Sequence, residues 1–140
     1  MDKFKEIRPI ALGLAIRNNK VLVSEGFDKV KNEYFYRILG GGVEFLETSE
    51  QALVREFKEE INADIKITEK LDIEESVFSY DGKPAHEIVF MYKIEIPEDQ
   101  IKDEYIIEEI NKKSLAKWVN KEDFINDSKI LYPEIIKKYL

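Results

Sequence analysis

Aliphatic and β-branched residues run almost unbroken from Ile7 to Ile16 (IRPIALGLAI), which predicts a strand, and Asn18-Asn19-Lys20 then marks a turn. Val21 to Phe27 reads as the returning strand of a hairpin. Polar Asp28 to Glu33 is expected to be a loop, and aromatic Tyr34 to Leu39 an extended segment that delivers the chain into Gly40-Gly41-Gly42. After Thr48 the period of the pattern changes. Ala52, Leu53, Phe57 and Ile61 fall on one side of a helix, with Val54 at its flank. Thr48 is placed to cap that helix, Gln51 three residues on completes a capping box, and Asn62 stands where the helix should end.

Ile65 to Leu71 and Ile73 to Tyr80 are strand material, Asp81-Gly82 is a tight turn, and His86 to Ile96 is a long apolar strand beyond it. Pro97 to Asp103 reads as a polar loop. Tyr105 to Ile110 alternates too weakly to assign, and Leu115 to Val119 (LAKWV) reads as a last strand that Trp118 packs. Asn120 is placed to cap a short turn, Lys121 to Ile125. Pro133 would open a terminal helix to Leu140 with Ile135, Ile136 and Leu140 as its apolar face. Strands, one helix, strands, then short helices predict an α/β chain: a mixed sheet with helices packed on its faces.

Composition narrows this picture. At 140 residues, with no repeat, linker or low-complexity tract, residues 1–140 are expected to form a single domain. The absence of cysteine excludes disulfides, thiolate metal sites and a cysteine nucleophile, and is compatible with a reducing cytoplasm, the expected location. Met1 to Glu6 has no long apolar run behind it, so no signal peptide is expected. No stretch suits a membrane helix. A net charge of −7 with scattered lysines argues against gripping long nucleic acid by its phosphates. An acidic protein can still act on a phosphorylated small molecule if a metal inverts the local field.

The candidate chemistry lies between Gly40 and Asn62. Six glutamates occur from Glu44 to Glu60, set against Arg55 and Lys58. Glu56, Glu59 and Glu60 project from one side of the helix, where like charges repel by about 0.2–0.5 kcal/mol per pair. Glu59 and Glu60 also sit in the last turn, where the helix dipole disfavours acids by roughly 0.3–1 kcal/mol each. A bound cation would relieve both penalties, and hard divalent cations take carboxylate, carbonyl and water oxygens. The plain alternative is a solvated acidic face behind a flexible turn.

Gly41, five residues, Glu47, seven residues, then Arg55-Glu56-Phe57-Lys58-Glu59-Glu60-Ile61-Asn62-Ala63 resembles the Nudix box over 23 positions. The spacing of glycine, arginine and all four glutamates matches. Asn62 replaces the usual glycine, Phe57 and Ala63 stand where larger aliphatic residues are usual, and Leu39 precedes the glycines where many members have proline. The resemblance implies a Nudix-type α/β/α sandwich with the box helix on one face. It implies that Glu56, Glu59 and Glu60 bind Mg²⁺, or Mn²⁺, with the Gly40 carbonyl as a further ligand. It also implies that Glu47 and Arg55 pair to orient the loop and helix. The implied activity is metal-dependent attack of water on phosphorus in a diphosphate linkage, with Glu56 or Glu60 as base, or an acid outside the box such as Glu104, Glu108 or Glu109.

The implied substrate is a nucleoside diphosphate derivative or a nucleoside triphosphate. The alternatives are a dinucleoside polyphosphate or nucleotide-sugar hydrolase, and a non-catalytic Nudix-like nucleotide sensor. A small-molecule nucleotide is the expected partner, and a homodimer is left open. Gly41, Gly42 and Glu44 are candidates to line the phosphate site. Arg8 and Arg37 could reach phosphates or could pair with surface acids. His86, the only histidine, could touch substrate or simply end a strand. Phe35, Tyr36, Phe45, Phe78 and Tyr80 could stack on a base, though most are expected in the core.

Overall fold

The computed structural model describes residues 5–109 and 112–140. Met1 to Phe4, read above for a leader, and Ile110 lie outside the described residues. The strands are β1 (Ile7–Leu14), β2 (Ile16–Arg17), β3 (Lys20–Asp28), β4 (Glu33–Gly42), β5 (Lys66–Tyr80), β6 (Lys83–Glu95), β7 (Glu104–Glu109), β8 (Lys112–Asn120) and β9 (Leu131–Tyr132). The helices are α1 (Ser49–Ile61) and α2 (Lys121–Ile125), with 3₁₀ segments at Glu98–Gln100 and Glu134–Tyr139. The sheet runs β5-β6-β1-β4-β3-β8-β7, with β2 on β3 and β9 on β4. β1 is parallel to β6 and β4 to β9, and the other pairs are antiparallel, so the sheet is mixed.

Strand alternation sends side chains to two cores. Ala11, Ala15, Leu22 and Leu39 face α1, where they meet Leu53, Phe57 and Ile61. Leu12, Leu14, Val21, Val23 and Ile38 face the other way, onto Phe124 of α2 and Ile136 of the terminal 3₁₀ segment. Along β1 the small Ala11 lies on the face of the long helix, and Leu12 and Leu14 lie on the face that the shorter segments cover. The predicted α/β/α layering therefore holds, with the box helix on one face.

Several boundaries differ from the pattern-based expectation. The strand expected over Ile7 to Ile16 breaks at Ala15, where the chain leaves β4 and picks up β3. Asn18 and Asn19 both have positive φ, 51° and 63°, as a two-residue primed hairpin turn requires. The two segments expected around Asp72 are one strand, β5, whose register to β6 shifts between Ile67 and Glu69 and between Lys70 and Asp72. Those shifts reset the alternation and made one strand look like two. Tyr105 opens into an ordinary edge strand, β7. Asn120 makes no side-chain cap. The terminal segment is a 3₁₀ helix rather than an α-helix, held by Ile136 N–H to Pro133 O at 3.0 Å and Leu140 N–H to Lys137 O at 3.1 Å. It buries Ile136, while Ile135 and Leu140 pack at the margin of the same core.

Candidate functional site

The three glycines are not a loop. They are the last residues of β4 and pair with β1: Leu12 opposite Gly40, Ala11 opposite Gly41 and Ile10 opposite Gly42. Gly40 has φ 152°, and a side chain there would collide with the Ala11 carbonyl, so only glycine lets β4 lie against β1 at this point. At Gly41 the limit comes from the other side. A Cβ would sit 2.6 Å from Glu56 Oε1, so the Glu56 carboxylate rests directly on the Gly41 backbone.

The loop proper runs from Val43 to Thr48. Glu44 N–H donates to Glu47 Oε1 at 2.9 Å and Glu47 N–H to Glu44 O at 3.1 Å, which closes a tight turn. Its outer residues, Phe45 and Leu46, are 93% and 89% exposed, and Leu46 has φ 73°, an uncommon conformation for a leucine. Thr48 caps α1 as predicted: Gln51 N–H donates to Thr48 Oγ1 at 3.2 Å, and Thr48 N–H to Gln51 Oε1 at 2.9 Å. Asn62 ends the helix in the left-handed conformation, φ 54° and ψ 40°, the geometry a glycine would supply.

Arg55 ties loop, strand and helix together. Its Nε and Nη2 donate to both oxygens of Glu47, at 2.9 and 2.7 Å, and Nη2 also donates to the Gly42 carbonyl at 2.9 Å. Nη1 donates to Glu56 at 2.9 Å and Glu59 at 3.3 Å. Glu44 stands 3.7 Å away and is exposed. Hydrogen bonding to Glu47 holds the guanidinium pKa above its ordinary value. The same bond, helped by the Glu44 N–H, lowers the Glu47 carboxyl to about 2. The expected pairing of Glu47 with Arg55 is thus present. The acid repulsion that seemed to need a cation is offset in part by Arg55 itself.

The structure also bears on whether a divalent cation fits. Glu56, Glu59 and Glu60 offer hard oxygen donors beside the Gly40–Gly41 backbone, the chemistry Mg²⁺ or Mn²⁺ takes. Glu56 is largely buried, Glu60 half-buried and Glu59 exposed. Among the described residues, no three His, Cys, Asp or Glu side chains converge as a ready cage. Two of the three box carboxylates face Arg55 instead. The donor set fits; occupancy would require Glu56 and Glu59 to share themselves between Arg55 and the ion.

The remaining candidates fall elsewhere. Arg8, on β1, is exposed, and its guanidinium lies 3.6 Å from where a Gly42 side chain would begin. It makes no hydrogen bond or ion pair among the described residues. Arg37 donates to Glu87 at 2.8 Å, and Glu87 is 5% exposed. Glu87 lies opposite Arg8 in the β1–β6 ladder, and His86 lies opposite Ile7. Strand alternation turns His86 to the other face from Glu87, so the structure does not bring the histidine to the arginines. Glu104 is exposed on the edge strand β7. Glu108 faces Lys113 at 3.7 Å, and the side chain of Glu109 lies outside the described residues. Tyr36 is buried, with its hydroxyl donating to Glu25 at 2.7 Å. Phe35 packs edge-on against Tyr80. Sequence reasoning passed over Glu87, which stands second in the segment His86 to Ile96, where Lys93 and Glu95 are also charged and nothing local marks it as buried.

Comparison with known proteins decides what this assembly belongs to. The family model described as NUDIX domain matches residues 7–139.

The chain belongs to the Nudix family.

As a Nudix protein it is a pyrophosphohydrolase. No curated protein matches the chain in a sequence search. Solved structures, some of them titled Nudix hydrolases, share the fold at low identity. The Escherichia coli ORF135 protein aligns with TM-score 0.61 and 20% identity over 94% of this chain and 84% of that one. The MutT Nudix hydrolase of Burkholderia pseudomallei aligns with TM-score 0.63 and 18% identity over 84% and 86%. A Nudix-family hydrolase from Clostridium perfringens aligns with TM-score 0.60 and 20% identity over 96% and 95%. A UDP-X diphosphatase aligns with TM-score 0.62 and 13% identity over 95% of this chain and 59% of that one. In this Nudix chain the spaced Glu47, Arg55, Glu56 and Glu59 form one connected hydrogen-bonded unit with the Gly42 carbonyl.

Proposed function

We propose that this Nudix protein hydrolyses a diphosphate linkage in a nucleoside diphosphate derivative or nucleoside triphosphate, with Mg²⁺ or Mn²⁺ held by Glu56, Glu59 and Glu60 and the Gly40 carbonyl. The observation that carries the reading is the seat of the Glu56 carboxylate on the Gly41 backbone, fixed from behind by Arg55. A bound cation would supply charge neutralisation of the phosphate oxygens and lower the pKa of water.

The chain's own groups would do the rest. Arg55, Glu47 and Gly42 hold the glycine strand at a fixed distance from the helix, so a phosphate admitted beside Gly41 and Gly42 meets the carboxylates in one orientation. Glu56 or Glu60 accepts a proton from the attacking water. The new P–O bond forms as the anhydride P–O bond breaks, and the bridging oxygen leaves with the other phosphate. Glu44 borders the entrance to this space, and Arg8 supplies a cation beside Gly42. Among the similar folds, one is named a UDP-X diphosphatase, which supports including nucleotide sugars among the substrates tested.

The test is a panel of nucleoside triphosphates, ADP-ribose, diadenosine polyphosphates and nucleotide sugars, with Mg²⁺, Mn²⁺ or excess chelator. At least one member should be cleaved with metal and none with chelator. Heavy-oxygen water should label one of the two phosphate products. Glu56→Gln, Glu59→Gln or Glu60→Gln should lower kcat by about 10²–10⁴ while the melting temperature stays close to wild type. Full activity in these variants or in chelator would sink metal-assisted hydrolysis. Binding of a panel member without cleavage would favour a nucleotide sensor.

A further inference from the structure

Glu87 is a buried carboxylate that the proposed hydrolysis leaves without a role. It projects from β6, is 5% exposed, and accepts from Arg37 Nη2 at 2.8 Å. Arg37 comes from a different hairpin, β3–β4, and its side chain is 32% exposed. Opposite Glu87 in the parallel ladder stands Arg8, whose guanidinium lies beside Gly42. Glu87 thus has Arg37 as its hydrogen-bond partner and Arg8 as its neighbour in the ladder, two cations to one carboxylate in a protein whose net charge is −7.

The two hairpins are fixed together at their tips. Asp28 is 3% exposed and accepts N–H groups from Val30 and Lys31, each at 3.0 Å, and from Asp81 at 3.3 Å across the gap. Lys29 N–H donates back to Asp81 Oδ1 at 2.8 Å. With the tips clamped, the strand that bears Arg37 is kept beside the strand that bears Glu87. An arginine held on one edge by a buried carboxylate keeps its other N–H groups aimed in a fixed direction, which lowers the ordering cost of binding an oxyanion.

We propose that Glu87 is a positioning residue: it holds Arg37 so that Arg37 and Arg8 together form a seat, beside Gly42, for the phosphate of the substrate that is not attacked. The inference rests on the hydrolase reading above, and it predicts an effect on substrate binding rather than on bond cleavage.

Two measurements test it. The first is calorimetric binding of inorganic pyrophosphate in excess chelator, which needs neither metal nor turnover. Wild type should bind, Arg37→Ala and Glu87→Gln should each weaken binding about tenfold, and the two changes together should do little more. Tighter binding in Glu87→Gln would show that the carboxylate competes with phosphate and would overturn the proposal, as would wild-type binding unchanged by either substitution, or no wild-type binding. The second measurement uses any panel substrate that is cleaved. KM should rise about tenfold in Glu87→Gln with kcat within about twofold, and Glu87→Asp should recover part of the loss. A fall in kcat at unchanged KM would overturn it. Removing one partner of a buried pair can unfold a protein, so Arg37→Met/Glu87→Met is the folded control. It should retain the wild-type melting temperature within a few degrees and lose the seat as fully as Arg37→Ala. If no panel member is cleaved, the hydrolase reading fails while the pyrophosphate measurement still decides the seat.

Discussion

Arg55 spends all five of its N–H donors on named acceptors: two oxygens of Glu47, the Gly42 carbonyl, Glu56 and Glu59. A lysine has three donors and no fork, so it could not reproduce this set. Glu47 carries the pH consequence. Its carboxyl is lowered from 4.5 to about 2 in the folded protein, first by the Arg55 hydrogen bond. A depressed carboxyl pKa stabilises the folded state fully above the unfolded value and loses that contribution as pH falls toward the folded one. Thermal melts of wild type should therefore decline between about pH 4.5 and pH 2 more steeply than those of Glu47→Gln, which should be less stable near neutrality but flatter with acid. Equal slopes for the two proteins would remove Glu47 from the acid transition. The charge pairing was legible in the sequence because Glu47 and Arg55 belong to a spaced pattern. The share of Arg55 that goes to Gly42 was not, since a backbone carbonyl leaves no trace in residue identity.

At the scale of elements, the unit formed by β4, the Val43–Thr48 turn and α1 depends on how closely strand and helix approach. Thr48, Gln51 and Asn62 announced both ends of the helix correctly, because caps are local chemistry written in adjacent residues. The glycines misled: a run of three reads as a loop, yet here it is paired strand whose missing side chains make room for the Ala11 carbonyl and the Glu56 carboxylate. Adding one methyl group at Gly41 should displace the end of Glu56 while leaving the apolar face of α1, with Leu53 and Phe57, untouched. Gly41→Ala is expected to keep a near-wild-type circular dichroism spectrum and melting temperature and to lose on the order of 10²-fold in kcat, as about 1 Å of misplacement can. Undiminished turnover would show that Glu56 does not need its seat on the strand. The β5 register shifts were illegible for a related reason: an extra residue in a strand changes the period without changing its composition.

Across the whole molecule, the mixed sheet followed from the order of strands and helices, whereas the split into two cores was hidden because β1, β3 and β4 are apolar on both faces. What the sequence could not display is the meeting of elements far apart in the chain. Arg37 and Glu87 are separated by 50 positions, and Asp28 and Asp81 by 53. Neither pair has a periodic or local signature. The Asp28 clamp also has a dynamic consequence. One carboxylate protects amide protons on both hairpins, so those protons are released together when it lets go. In hydrogen–deuterium exchange the amides of Val30, Lys31 and Asp81 should exchange at similar rates in wild type, and all three should quicken in Asp28→Asn with the β1 core amides unaffected. Independent exchange at the two tips would show that each hairpin breathes alone. Joint exchange would mean that the wall bearing Arg37 and Glu87 opens and shuts as a single leaf, hinged where the strands enter the core and fastened at its free edge by Asp28 and Asp81.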